Sequence, residues 1–227
     1  MIIITGASKG IGKYLFEKYW EMGEIVYGTY NTTYPETDKT DYFTKVDITD
    51  YSSVVCWIAK IKDKISKLTL INNAGINYNS IAHKADIDKW NQVINVNLIG
   101  AFNLIHAVLP IMREEKYGRI INFSSVVAQT CVPGTSAYAA SKAGLWGLTK
   151  SISVEGARKG ITINTLNLGY YNVGMINEVP QKFQEVLKKQ IPVGNFGNPQ
   201  CIYNAIEFLR NTEYINGSSI DINGGIF

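Results

Sequence analysis

Two Tyr-x-x-x-Lys pairs occur in the 227-residue chain, Tyr14/Lys18 and Tyr138/Lys142. On a helix each pair sets a phenol and an ammonium on one face, because residues i and i+4 are neighbours there. The chemistry open to such a pair is acid–base. A tyrosine of pKa near 10 ionises poorly at neutral pH, a nearby positive charge favours the phenolate, and a pKa nearer the working pH makes a better general acid or base. With 14 tyrosines in the chain the spacing alone proves nothing, so context must separate the two pairs. Tyr138 opens the small-residue run Tyr138–Gly144, thirteen positions after Ser125, and Ser125 follows the apolar run Ile120-Ile121-Asn122-Phe123. That places Ser125 at the carboxyl edge of a sheet, where open α/β folds bind ligands. Its hydroxyl can donate to a carbonyl oxygen as negative charge develops there. Tyr14/Lys18 has no polar partner at a strand end and reads as surface packing, which makes it an internal control.

A second feature is the turn Thr5-Gly6-Ala7-Ser8-Lys9-Gly10-Ile11-Gly12, between an apolar run and an amphipathic stretch. A strand–turn–helix with glycines lets backbone approach a pyrophosphate, whose charge meets the free N–H groups and positive end of the helix. The spacing G-x-x-x-G-x-G differs from G-x-G-x-x-G, but the mechanics are the same. An ordinary tight turn is the competing reading.

The elements that must position these residues follow from periodicity. Apolar β-branched runs alternate with amphipathic stretches, the pattern of strand–helix units that build a parallel sheet. Seven strands are expected, at 1–5, 24–30, 43–48, 69–72, 119–123, 162–166 and 219–222, and helices at 11–22, 52–65, 89–114, 136–159, 181–189 and 200–209. Segment 31–42 carries Thr, Pro and Asp without a helical period, so one crossover helix is expected to be missing or reduced to a loop. The fold class is therefore α/β, a doubly wound parallel sheet of about seven strands in a single domain, 1–227.

Composition narrows the function classes. With 46% hydrophobic and 18% charged residues the chain is globular. A net charge of +3 with scattered lysines gives no nucleic-acid footprint. Cys56, Cys131 and Cys201 are far apart and without histidine at ligand spacing, so they read as core thiols rather than disulfide or zinc ligands; no metal site is expected. His83 and His106 receive no role, and His106 reads as a packed or rim residue. No signal peptide or membrane span is expected, and the cytoplasm is the expected location.

With Thr5–Gly12, Asn72-Asn73-Ala74-Gly75, Ser125 and Tyr138/Lys142 in this order, the chain resembles the short-chain dehydrogenase/reductase family over its whole length, most closely bacterial 3-oxoacyl-[acyl-carrier-protein] reductases. Asp47-Ile48, Asn97, Gly160–Asn164 and the closing Asp221-Ile222-Asn223-Gly224-Gly225 fit as well. The resemblance implies a Rossmann-type fold, an NAD(P)-dependent oxidoreductase and a catalytic set of Asn97, Ser125, Tyr138 and Lys142. By the same resemblance Tyr138 would protonate the carbonyl oxygen, Lys142 would hold the nicotinamide ribose and lower the tyrosine pKa, Ser125 would orient the substrate, and Asn97 would kink its helix and anchor a relay water. A helix-interior amide bonding locally is the other reading of Asn97. Implied cofactor contacts are Gly6, Ser8, Lys9, Gly10, Ile11, Gly12, Asn31, Asp47, Ile48, Asn73, Ala74, Gly75, Gly169 and the Tyr138/Lys142 pair. Asp47 alone reads as a solvated turn residue.

The end of the second strand, Tyr30-Asn31-Thr32, lacks the acid that NAD-selective relatives place there, and Lys9 offers a charge to a 2′-phosphate; NADP(H) is expected over NAD(H), unless Glu36 or Asp38 folds back. The family's usual Pro-Gly and later threonine are replaced here by Leu168-Gly169 and Val173. Expected substrates are small-molecule or carrier-bound carbonyls: a 3-oxoacyl group, or a sugar or secondary-metabolite ketone. Hydride transfer within an epimerisation and a non-catalytic cofactor-binding protein are alternatives. Tyr78, Tyr170 and Tyr171 are candidates for the substrate side. Lys116 and Lys159 are candidates for a carrier-facing patch that Glu114 and Glu115 dilute. A homotetramer or homodimer is expected, from the resemblance and from the mixed small and large residues of 136–159.

Overall fold

The computed structural model describes residues 1–130 and 132–226. Seven strands form one parallel sheet: β1 Ile2–Ile4, β2 Val26–Tyr30, β3 Phe43–Lys45, β4 Thr69–Asn72, β5 Gly118–Ser125, β6 Ile161–Leu168 and β7 Ser219–Ile222. Their order is β3-β2-β1-β4-β5-β6-β7, so the chain reverses direction between β1 and β4 and leaves a crevice at their carboxyl ends. Strand residues alternate between two cores. Ile3, Leu70 and Ile120 face helices α2 Tyr51–Ile61, α4 Gly100–Glu115 and α5 Ser136–Gly156, while Ile2, Ile4, Ile71 and Ile121 face α1 Gly10–Glu21 and α7 Gln200–Asn211. Both faces being covered explains why these strands read as unbroken apolar runs.

The strands predicted at 119–123 and 162–166 are longer than their apolar runs, because β5 and β6 pair from Gly118↔Ile161 to Ser125↔Leu168 and are buried throughout. Ser125 therefore ends a strand. The third strand is shorter than predicted: it stops at Lys45, and after Val46 N–H donates to Tyr30 O at 2.9 Å the chain turns at Asp47.

Segment 31–42 holds no α-helix, only a 3-10 turn at Thr40–Tyr42. Aromatic packing covers the gap. Phe43 meets Phe16 at 4.2 Å between ring centroids, Tyr42 meets Trp20 at 4.6 Å, and Lys39 pairs with Glu17 at 2.5 Å. Gly28 is required beneath this cluster, since a Cβ there would lie 2.7 Å from the Phe43 ring.

The helix predicted at 89–114 begins earlier and is interrupted: α3 Ile87–Ile94 passes through a π turn, Asn95–Ile99, into α4. The combined run Ile87–Glu115 is long and apolar enough to cross a membrane by length and composition, against expectation. Its apolarity has another outlet in the fold, since Leu104, Ile105, Val108 and Met112 are fully buried against the sheet. Cys56 and Cys201 are exposed on the outer faces of α2 and α7, so the core-thiol reading fails for both: the inward positions belong to larger side chains such as Trp57 and Ile202. Cys131 lies outside the described residues.

Candidate active site

The glycine turn is held from below. Thr5 Oγ1 accepts the N–H groups of Asn73 and Ala74 at 3.1 and 2.9 Å, and Asn73 Nδ2 donates to the carbonyls of Thr5 and Gly6 at 2.8 and 3.0 Å. Gly6 and Gly10 have φ of +63° and +58°, where side chains are strained, and a Cβ on Gly12 would lie 2.5 Å from Asn73 Nδ2. The N-cap of α1 is Lys9, extended and without a side-chain cap, so the first-turn N–H groups stay available to an anion. Ser8 and Ile11 flank that opening half-buried, and Lys9 is exposed. Asn73 and Ala74 thus act on this turn as scaffold.

Ser125 ends β5 with Oγ accepting the Val127 N–H at 3.2 Å, which leaves its own hydrogen free to donate. Tyr138 stands in the first turn of α5, and one turn on Lys142 is buried beneath it, Nζ 5.7 Å from the Tyr138 ring centroid and donating to Phe123 O at 2.7 Å. Burial raises the Tyr138 phenol above its ordinary pKa, hydrogen bonding to Ser125 pulls it back, and Tyr170 adds to the rise. Burial also pushes the Lys142 ammonium down to about 8. The expected lowering of the Tyr138 pKa by Lys142 is not seen in this structure: burial is the largest influence on the phenol, Lys142 is not among the groups that shift it, and the ammonium is turned to a backbone carbonyl.

Asn97 is buried in the π turn. Its Oδ1 accepts the Ile76 N–H at 2.9 Å, and its Nδ2 donates to Ile76 O and Ser141 Oγ, both at 3.0 Å. These partners are remote in sequence, so the locally bonded reading is excluded, and Asn97 lies within the π turn that separates α3 from α4. Ser141 passes the link on by donating to Tyr138 O at 2.8 Å, while Ser124 Oγ donates to Lys142 O at 2.9 Å. Two buried serines thus pin the backbone that carries the phenol and the ammonium. Sequence reasoning missed both; their only signal was adjacency to Lys142 and Ser125. We expect Asn97→Leu to cost about 1–3 kcal/mol in urea unfolding, because it strands the Ile76 groups inside the fold. A change below about 0.5 kcal/mol would show that this network is dispensable.

Ser125, Tyr138 and Lys142 share the wall of a cavity of about 490 Å³ with Gly75, Gly169 and Ile11. Gly75 and Gly169 admit close neighbours: a Cβ at either would meet Asn97 Oδ1 at 3.3 Å or Asn223 Cα at 2.6 Å. A smaller cavity of about 290 Å³ is lined by Asn31, Asp47, Thr49, Asp88, Asn91 and Val96 among others. Asp47 Oδ1 there accepts from Thr49 N and Oγ1 at 2.9 and 2.7 Å, whereas Ile48 is turned into the core against Gly100. Tyr14, the control, faces away and donates to Gln200 Oε1 at 2.8 Å. His106 is exposed and meets the Tyr51 hydroxyl at 2.6 Å. Lys116 and Lys159 lie beside the starts of β5 and β6, the opposite end of the sheet from Ser125.

The family model described as short chain dehydrogenase matches residues 1–184. An acetoacetyl-CoA reductase of Shinella zoogloeoides is 39% identical over 99% of this chain and 97% of its own length. The 3-oxoacyl-[acyl-carrier-protein] reductase FabG of Escherichia coli K12 is 33% identical over 99% and 96%. A solved structure from Agrobacterium tumefaciens, described only provisionally as a gluconate dehydrogenase, has a TM-score of 0.89 at 24% identity, covering 100% of this chain and 95% of that one. That last likeness is one of fold.

Proposed function

Because the chain belongs to the short-chain dehydrogenase family and is an oxidoreductase acting between CH–OH and C=O, we propose that it is an NADPH-dependent reductase of 3-oxoacyl thioesters in the cytoplasm, with Tyr138 as proton donor. The observation that carries this reading is the convergence of Ser125, Tyr138 and Lys142 on one cavity beside the glycine turn. The cradle fits a dinucleotide: its glycines stand where a Cβ has no room, and the uncapped start of α1 presents N–H groups to a pyrophosphate. Gly6, Ser8, Gly10, Ile11 and Gly12 hold the phosphates, Asn31 and Asp47 the adenosine, Lys142 the nicotinamide ribose, and Gly169 the nicotinamide side. When bound, the nicotinamide supplies the hydride.

The protein's own part is proton handling and orientation. Ser125 donates to the substrate oxygen, and Tyr138 delivers its proton there as negative charge grows. The raised Tyr138 pKa keeps the phenol protonated at neutral pH, the form that reduction needs. The names of the two similar reductases favour an acetoacetyl or longer 3-oxoacyl thioester. Assembly as a homotetramer or homodimer belongs to the same proposal.

NADPH is favoured over NADH because Asn31 replaces an acid at the end of β2. Glu36 and Asp38 stay outside the small cavity, and Asp38 lies 3.8 Å from Lys39. Since Asp47 and Asp88 line that cavity, the 2′-phosphate belongs on the Lys9 side. In a spectrophotometric assay on acetoacetyl-CoA we expect NADPH to outperform NADH in kcat/KM. Lys9→Ala should weaken NADPH by about 1–3 kcal/mol, the scale of a charge-assisted hydrogen bond, and leave NADH nearly unchanged. Equal kcat/KM for both cofactors, or equal losses in the variant, would contradict the cofactor assignment.

A further inference from the structure

Tyr138, Lys142 and Trp146 recur every four residues along α5, so the phenol and the ammonium share one stripe of the helix with an indole. Trp146 Nε1 donates to Asn167 Oδ1 at 2.8 Å. Asn167 is buried in β6, paired in register with Ser124 of β5 on one side and Asp221 of β7 on the other. Residues paired this way across parallel strands point to one face of the sheet. Their side chains form a row on the α5 side: Ser124 holds Lys142 O, Asn167 holds the Trp146 indole, and Asp221 Oδ1 accepts the Asn167 Nδ2 at 2.6 Å.

The row continues beyond the sheet to the segment that carries Ser125. Gln129 Nε2 donates to the same Asp221 Oδ1 at 2.8 Å, across 92 positions of sequence. Gln129 closes the 3-10 turn Val126–Ala128, since its N–H donates to Val126 O at 2.9 Å. That turn supplies the Val127 N–H which Ser125 Oγ accepts, the contact that leaves the serine hydrogen free to donate. Val126 is buried and fixes one end of the turn; Gln129 is exposed, and its side-chain bond to Asp221 fixes the other. Through Asp221 the turn after Ser125 and the helix that carries Tyr138 are braced on one buried amide, Asn167.

Building on the carbonyl-reductase reading, we propose that Gln129 and Asp221 are positioning residues, whose bond sets the turn that aims the Ser125 hydroxyl and so keeps Ser125 and Tyr138 converged on one substrate oxygen. Neither side chain lines the large cavity, so both act through Ser125 rather than on substrate or cofactor. The effect is on rate, because the transition state rewards a donor already held in place, and a misplacement of about 1 Å can cost about 10²-fold.

The test measures kcat on acetoacetyl-CoA, and NADPH affinity by fluorescence titration, for wild type, Gln129→Ala, Asp221→Ala, Asp221→Asn and the double alanine variant. Gln129→Ala should lower kcat about fivefold, the scale of one hydrogen bond, with NADPH affinity within about twofold of wild type. Asp221→Ala should lose at least as much, because Asn167 also loses its acceptor, and the double variant no more than Asp221→Ala. Asp221→Asn keeps the accepting oxygen and should return kcat to within about twofold of wild type. In single-turnover assays with enzyme in excess, adding Gln129→Ala to Ser125→Ala should change the residual rate by less than about twofold, since the group it aims is gone. Losses that multiply in the double alanine variant, a further loss of about fivefold on the Ser125→Ala background, or a Gln129→Ala kcat within about twofold of wild type would overturn the positioning role and leave the reductase reading standing. A wild type without activity on acetoacetyl-CoA overturns both.

Discussion

Tyr138→Phe is expected to lower kcat by about 10²–10⁴-fold, the range of a lost general acid, while NADPH binds with nearly unchanged affinity. The substitution keeps the ring that packs over Lys142 and removes only the oxygen, so the cavity wall persists. Tyr14→Phe is the matched comparison, because Tyr14 has the same Tyr-x-x-x-Lys spacing but faces α7. Its kcat should stay within about twofold of wild type. Steady-state kinetics with a separate NADPH titration distinguishes loss of the acid from loss of the site. Near-wild-type turnover in Tyr138→Phe, or equal losses in both variants, would remove Tyr138 from the chemistry.

Lys142→Met should abolish most activity and yet stabilise the protein at neutral pH. The Lys142 side chain is enclosed, and burial has lowered its pKa from 10.5 to about 8, a drop that corresponds to about 3 kcal/mol. That figure is a cost to the folded state. Below pH 8 the ammonium is charged in both folded and unfolded chains, and the full cost of burying it is present. Between about 8 and 10.5 the unfolded chain holds more protons than the folded one, so wild-type stability rises with pH. Lys142→Met lacks this rise, and the difference between the two unfolding curves should shrink as pH increases through that window. Met is unbranched and of similar length, so the packing survives. Denaturant unfolding at pH 7 and at pH 10 checks the sign. A variant less stable than wild type at pH 7 would show that the bond to Phe123 O outweighs the desolvation.

Where the sequence predicted well, the signal was local and physical. The run Ile120–Phe123 could only be a strand buried on both faces, and that placed Ser125 at the sheet's carboxyl edge. The glycines of the turn and the 31–42 gap were legible for the same reason, since conformational freedom and lost periodicity are written in residue type. What stayed hidden depends on partners remote in sequence. The π turn interrupts a continuous helical pattern where Asn97 is held by Ile76 and Ser141, and no window of the chain contains all three residues. Ser124 and Ser141 look like fillers until their hydroxyls are seen to hold the Lys142 and Tyr138 carbonyls. The direction of the Tyr138 shift was missed because a spacing of four residues reveals proximity of charge but not depth of burial, and here depth prevails. The cysteines failed for the converse reason: residue type suggested burial, and helix phase put Cys56 and Cys201 outside.

Isotope transfer tests the central claim most directly. Wild type is given NADPH deuterated on the transferable C4 position, together with an acetoacetyl thioester, and the hydroxy product is analysed by mass spectrometry. The account predicts one deuterium, on the carbon that bore the reduced ketone, with Tyr138→Phe giving the same labelled product at a rate lower by about 10²–10⁴-fold. A product without deuterium at that carbon, or labelled product formed equally fast by Tyr138→Phe, would contradict it.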